Sequence, residues 1–221
     1  MLWSNRPFLP QYKQEKPMNR FEQAVYDCMN PVEALLQRTE NPLHRAILEN
    51  FRRHVHLEGS GQFERITAPD MMVDNPVYRV SWGDNPLVIE GKEGVMGFYN
   101  SVTGAVLWNS DDLIAVNDWG IADELTFNQL IRGNDLQNLG YKADNPEAFY
   151  HLQSRQAFIW PYNEQAQLKG ENLYEDKTSV IITEVDSSEI ITPQRVAEIH
   201  LELLAKLEAE KADNWWLLDR Q

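Results

Sequence analysis

A short run near the middle of the chain carries the residues best suited to acid/base chemistry. Gln167 to Asp176 alternates as a strand does. One parity holds Gln167, Lys169, Glu171, Leu173 and Glu175; the other holds Leu168, Gly170, Asn172, Tyr174 and Asp176. With period two, the charged set is expected to face water. Asn172, Tyr174 and Asp176 are then expected to face inward. A packed core has no use for such a row, because each buried polar group costs free energy unless paired, whereas a lined cavity has. A carboxylate in that setting has its pKa raised by desolvation and works as a base near neutrality. The other reading is that Asp176 caps a loop at the strand end. His54, three residues after Phe51 and beside an apolar helix stripe, is a candidate partner for Asp176 or the acid itself; the alternative is a hydrogen-bonded core histidine.

The elements that must position these groups are legible from caps and periodicity. Asn41-Pro42 is a start signal, with Asn as the cap and Pro at the first helical position. It opens a long helix to about Glu58, stopped by Gly59 and Gly61. Leu43, Ile47, Leu48, Phe51 and Val55 form its apolar stripe, and Arg52, Arg53 and His56 are expected to look outward. Asn19 to Cys28 reads as a short helix, and Asn30-Pro31 as another start. A strand is expected to stop at Pro76, with a second running to Trp82 and a third over Leu87 to Glu90, before a helix over Lys92 to Ser101. Strand-like runs follow at Ala105 to Asn109, Leu113 to about Arg132, Phe149 to Trp160 and Ser179 to Val185. Residues 133–147 form a long connection, suited either to a lid or contact surface or to a plain surface loop. Glu124 and His151 are further possible cavity groups on strands whose parity does not decide their direction. Thr192-Pro193 starts a last helix, to about Ala212, with Val196, Ile199, Leu203 and Leu207 on one side. The tail ends in Trp215-Trp216-Leu217-Leu218, which needs burial on the domain or a partner.

Composition narrows the classes. The 221-residue chain carries a net charge of −14. That argues against nucleic acid, whose phosphates demand Lys/Arg stripes, and against anionic membrane surfaces. The single cysteine, Cys28, excludes an intrachain disulfide, fits a reducing compartment, and reads as a small buried hydrophobe. No stretch approaches a membrane span, and the N-terminus lacks a basic region followed by an apolar core. A cytoplasmic location is expected. Gly-rich phosphate loops, paired cysteines, a His-Glu-x-x-His helix and a Gly-x-Ser-x-Gly elbow are all lacking, so no cofactor and no metal are expected.

The stretch Ala68-Pro-Asp-Met-Met-Val-Asp-Asn-Pro76, followed by Gly91-Lys-Glu-Gly-Val-Met-Gly-Phe-Tyr99, resembles the ketosteroid-isomerase-like, or nuclear transport factor 2-like, superfamily. That group includes SnoaL-like polyketide cyclases, scytalone dehydratase and limonene epoxide hydrolase. Asn172-Leu-Tyr-Glu-Asp176 is similar to the family's last-strand ending. The resemblance implies an α+β fold: a cone-shaped curved antiparallel sheet with a long helix across its concave face, plus terminal extensions. It divides the chain into an arm with short helices (1–41), the cone (42–178), and a strand-and-helix extension (179–221). It implies orienting roles for Asn75 and Tyr174 and a base in Asp176, with Asp74 as the alternative base if the strand bulges at Asn75-Pro76. Phe51 stands where the isomerase has an oxyanion-hole Tyr, so that hydroxyl is missing. The expected function is general acid/base catalysis, of lyase, isomerase, cyclase or hydrolase type. The substrate is a small apolar oxygen-bearing molecule in an enclosed cavity, and the protein a homodimer. The alternative is a non-catalytic ligand-binding or interaction module, favoured if Phe51 and Trp108 plug the interior.

Overall fold

The computed structural model describes residues 17–210. The arm up to residue 16 and the Trp215-Trp216 tail lie outside the described residues. Three helices open the chain: α1 (Arg20–Asp27), α2 (Asn30–Arg38) and α3 (Pro42–Gly59). Asn19 caps α1 in a reciprocal box with Glu22, and the Asn41 side chain accepts from the Leu43 and His44 backbone at the head of α3. At α2 the cap falls one residue earlier than the Asn-Pro signal predicts, on Met29, which offers no side-chain hydrogen bond.

After the single turn α4 (Phe63–Ile66) come β1 (Met72–Ser81), β2 (Leu87–Glu90) and α5 (Gly91–Ser101). They are followed by β3 (Val106–Asn117), β4 (Gly120–Arg132), α6 (Gly133–Asn138), β5 (Phe149–Pro161), β6 (Leu168–Val185) and α7 (Pro193–Glu210). The strands form one open six-stranded sheet in the order β2-β1-β6-β5-β4-β3. Its pairs are antiparallel except β1 with β6, which is parallel. This α+β sheet with its packed helices has the element order that the Ala68–Pro76 and Gly91–Tyr99 motifs imply.

Three sequence expectations need correction. The strand does not stop at Pro76: β1 runs through it, because ladder pairing with β2 and β6 resumes only at Val77 and the missing proline N–H falls in a register shift. The two runs before and after Asp176 are one long strand, β6, with a second register shift opposite Gln153 and Arg155. Arg53 and His56 do not look outward. Both are buried, because α7 packs over the outer side of α3: Arg53 donates to Glu208 at 2.8 Å, and His56 Nδ1 meets His200 Nδ1 at 3.2 Å. The main core lies between α3 and the sheet, around Ile47, Leu48, Phe51, Tyr78 and Trp160. A second cluster, with Phe21, Trp108 and Ile199, ties α1 and α7 to β3 and β4.

Candidate functional site

A cavity of about 430 Å³ opens between α3 and the sheet. Phe51, Phe127, Phe158 and Trp160 are among its walls, with the Phe158 and Trp160 rings stacked at 5.5 Å. Phe51 and Trp108 line this space without filling it. The terminal extensions complete the wall: Cys28 and Met29 come from the start of the chain, Val196 and His200 from α7. Burial pushes the Cys28 thiol up to about 12, which makes it a wall rather than a nucleophile.

The expected site residues fall elsewhere, and the reason lies in one glycine. Between Met72–Leu168 and Val77–Gly170 the β1–β6 register shifts. Gly170 takes φ +151°, and a Cβ there would lie 1.9 Å from the Val77 carbonyl oxygen. The bulge breaks the alternation, so Leu168 faces in and so do Glu171 and Leu173, three and five residues on. Tyr174 and Asp176 are thereby turned outward. Tyr174 is half exposed; Asp176 is exposed, and its Oδ1 accepts from the Thr178 N–H and hydroxyl, the loop-capping role. Those bonds hold its carboxyl below the usual carboxylate range, which suits neither an acid nor a base near neutrality.

Asn75 and Asp74 are exposed on β1, with Asp74 against Lys92 at 3.3 Å. The inward polar group of that strand is Tyr78. His54 is buried, and the Tyr99 hydroxyl, not Asp176, is its partner at 2.9 Å. Glu124 is paired with Arg155 at 2.7 Å on the outer face, and His151 is taken up by Asn128 at 2.9 Å and by stacking on Trp108.

Three carboxyl side chains line the cavity instead: Glu58, Asp123 and Glu171. Glu58 continues the Phe51–Val55 stripe at helical spacing, one turn past Val55. His54 Nε2 stands 3.4 Å from its Oε2. Behind His54 runs a buried chain, Tyr99 hydroxyl to Tyr78 hydroxyl at 2.8 Å, and Tyr78 is the cross-strand neighbour of Glu171. Glu171 is 5% exposed and makes no side-chain hydrogen bond among the described residues. Burial first, and the charge of Glu58 second, raise its pKa well above the carboxylate range.

Asp123 sits on β4 in the row Ile121, Asp123, Leu125, and among the described residues both its carboxyl oxygens lack hydrogen-bond partners. Burial, then the neighbouring Asp112, push it up to about 8. Trp160 also lines the cavity, and its indole N–H has no hydrogen-bond partner among the described residues.

Signals for these positions existed. A carboxyl at the parity of Ile121 and Leu125 marks Asp123 as inward. Gly170 inside a strand is a bulge signal, and counted across it Glu171 falls on the inner face. Among the described residues no group of three or more His, Cys, Asp or Glu is placed to hold a metal ion, and no helix is long and apolar enough to cross a membrane.

The class that fold and site define is an open α+β sheet with an internal cavity, between sheet and helix, that carries carboxyl groups. No family model and no curated protein matches the sequence. Among solved structures, a candidate SnoaL-like polyketide cyclase from Jannaschia sp. CCS1 aligns at 12% identity and a TM-score of 0.47, covering 63% of this chain and 91% of that one. A candidate polyketide cyclase from Xanthomonas campestris pv. campestris aligns at 10% identity and 0.44, covering 62% and 94%. The epoxide hydrolase/cyclase-like enzyme SalBIII, of pyran ring formation in the polyether salinomycin, aligns at 13% and 0.43, covering 62% and 95%.

Proposed function

We propose that this protein is a general acid/base enzyme acting on a small apolar molecule with an oxygen function, enclosed between α3 and the sheet. The observation that carries the reading is Glu171: a buried carboxyl on the cavity, without a side-chain hydrogen bond among the described residues, its pKa raised by burial. Two carboxyls in different settings, one buried among apolar walls and one at the end of α3 beside His54, divide the labour of acid and base. Glu171 supplies the proton and Glu58, oriented by His54, receives one. His54, Tyr99 and Tyr78 are positioning residues, since their hydroxyl and imidazole chain fixes where the Glu58 carboxylate stands. The Trp160 N–H is a donor for the substrate oxygen. Dehydration, water addition and ring closure all need this pair of transfers, and each places one proton on oxygen while removing another.

The test is turnover of a panel of small apolar epoxides, β-hydroxy ketones and hydroxy-enones, followed by mass spectrometry. For a substrate that turns over, Glu171→Gln and Glu58→Gln are each expected to lower kcat/KM by roughly 10²–10⁴. The expected pH profile carries a descending limb that Glu171→Gln abolishes. Wild-type activity retained in both variants would sink the assignment, and Asp176→Asn serves as the control expected to change nothing.

A further inference from the structure

The carboxyls around the cavity have no cationic counterpart. Glu58, Asp123 and Glu171 line it, and among the described residues no lysine or arginine does. The one imidazole in the wall, His200, is held neutral, its pKa pushed down to about 4 by burial. A developing oxyanion in this space meets the Trp160 N–H and any carboxyl that holds a proton, but no cation. A developing positive charge meets the carboxyls and the aromatic rings of the wall, whose quadrupoles attract cations. The independent observation is Glu171, 95% removed from solvent by its 5% exposure, lining the cavity with no hydrogen-bond partner. A carboxyl in that condition is left for a ligand to satisfy.

We propose that the cavity is built to hold positive charge, and that its ligand class is an apolar organic cation, met either as an ammonium compound or as the high-energy state of a neutral substrate. The second form rests on the acid/base reading above. There the Glu171 O–H bond breaks and an O–H bond forms at a substrate oxygen. The C–O bonding pair leaves with that oxygen, as water or as the hydroxyl of an opened ring. The positive charge develops at carbon beside the Glu171 carboxylate so formed. Glu58 then removes a proton, either from the adjacent C–H bond, whose electron pair closes the alkene, or from the hydroxyl that attacks the carbon. The catalysed reaction therefore begins with protonation of oxygen, not with abstraction from carbon.

The test needs no knowledge of the substrate. Benzyltrimethylammonium, its neutral carbon isostere neopentylbenzene, and phenylmethanesulfonate are titrated into the full chain by calorimetry at fixed salt. The cation is expected to bind roughly tenfold or more tightly than the isostere, a difference within reach of one desolvated cation–π and carboxylate site. The sulfonate is expected not to bind. Asp123, pushed up to about 8, holds a proton in the empty cavity near neutrality, and binding a permanent cation favours its release. Affinity then rises with pH by up to about tenfold per unit across the neutral range, and the heat depends on the buffer. The groups facing Glu171 are Glu58 on α3 and the hydroxyls of Tyr78 and Tyr162, and those facing Asp123 are Asp112 and Arg155.

Glu171→Gln is expected to lose most of the preference for the cation while still binding neopentylbenzene. Equal or tighter binding of the isostere by the wild type overturns the proposal, as does no binding of the cation at millimolar concentration. The two readings fail separately. Loss of turnover in Glu171→Gln together with a neutral-ligand preference keeps the acid/base assignment and removes this one. Cation preference with turnover untouched by Glu171→Gln and Glu58→Gln does the reverse.

Discussion

At the scale of single residues, the molecule spends stability on its cavity. Asp123 and Glu171 are buried carboxyls at positions that suit an apolar side chain, and among the described residues neither has a side-chain hydrogen bond to offset its burial. That expense has a measurable sign. Burial and the neighbouring Asp112 push Asp123 up to about 8 in the folded state, against an ordinary aspartate value near 3.8 in the unfolded chain. Between those values the folded state holds the proton and the unfolded state does not, so stability is greatest below the unfolded value and falls as pH rises toward 8. Asp123→Asn, which cannot ionise, is expected to flatten that fall by up to about 1.4 kcal/mol per pH unit. Urea midpoints measured from pH 5 to pH 8 check it. An unchanged slope would place Asp123 in contact with solvent or a counter-ion.

At the scale of elements, the bulge in β6 decides which chemistry faces inward. A one-residue change of register carries every following side chain to the other face. Gly170 makes the bulge possible, since its φ of +151° and the 1.9 Å approach of a would-be Cβ to the Val77 carbonyl exclude any other residue without rearrangement. Gly170→Ala is expected to cost about 2 kcal/mol or more, by chemical denaturation, through strain and the carbonyl clash. Loss of the bulge would also turn Glu171 outward. A variant as stable as the wild type would mean that the strand regularises without penalty.

At the scale of the whole molecule, the terminal extensions belong to the cavity. α7 lies along α3 and brings His200 against His56 and the cavity wall. Burial, then the neighbouring His200 and Arg52, push His56 down to about 3; burial alone pushes His200 down to about 4. Both fold as neutral rings. In the window below the ordinary histidine value the unfolded chain binds protons that the folded one refuses, so stability is present above about pH 6.5 and is lost as pH falls toward 4. His200→Gln is expected to shallow the acid limb of a Tm-against-pH curve by up to one proton's worth, because one of the refusing groups is gone. An acid limb identical to that of the wild type would show that α7 leaves α3 before either ring is protonated.

What the sequence by itself determined is the set of elements and their order. Asn-Pro caps, the α3 stripe and the Ala68–Pro76 and Gly91–Tyr99 stretches are local signals, and local signals survive in one dimension. That polar groups on β6, a central strand of the sheet, would face a cavity was also legible. Which of those groups face the cavity was decided only in three dimensions. The parity of β6 depends on a bulge against β1, nearly a hundred residues away along the chain. The burial of Arg53 and His56 depends on α7, which arrives last. Glu58 gains its role only where the end of α3 meets β6. Alternation reports a face only while the register is unbroken, and the register belongs to the pair of strands rather than to either one.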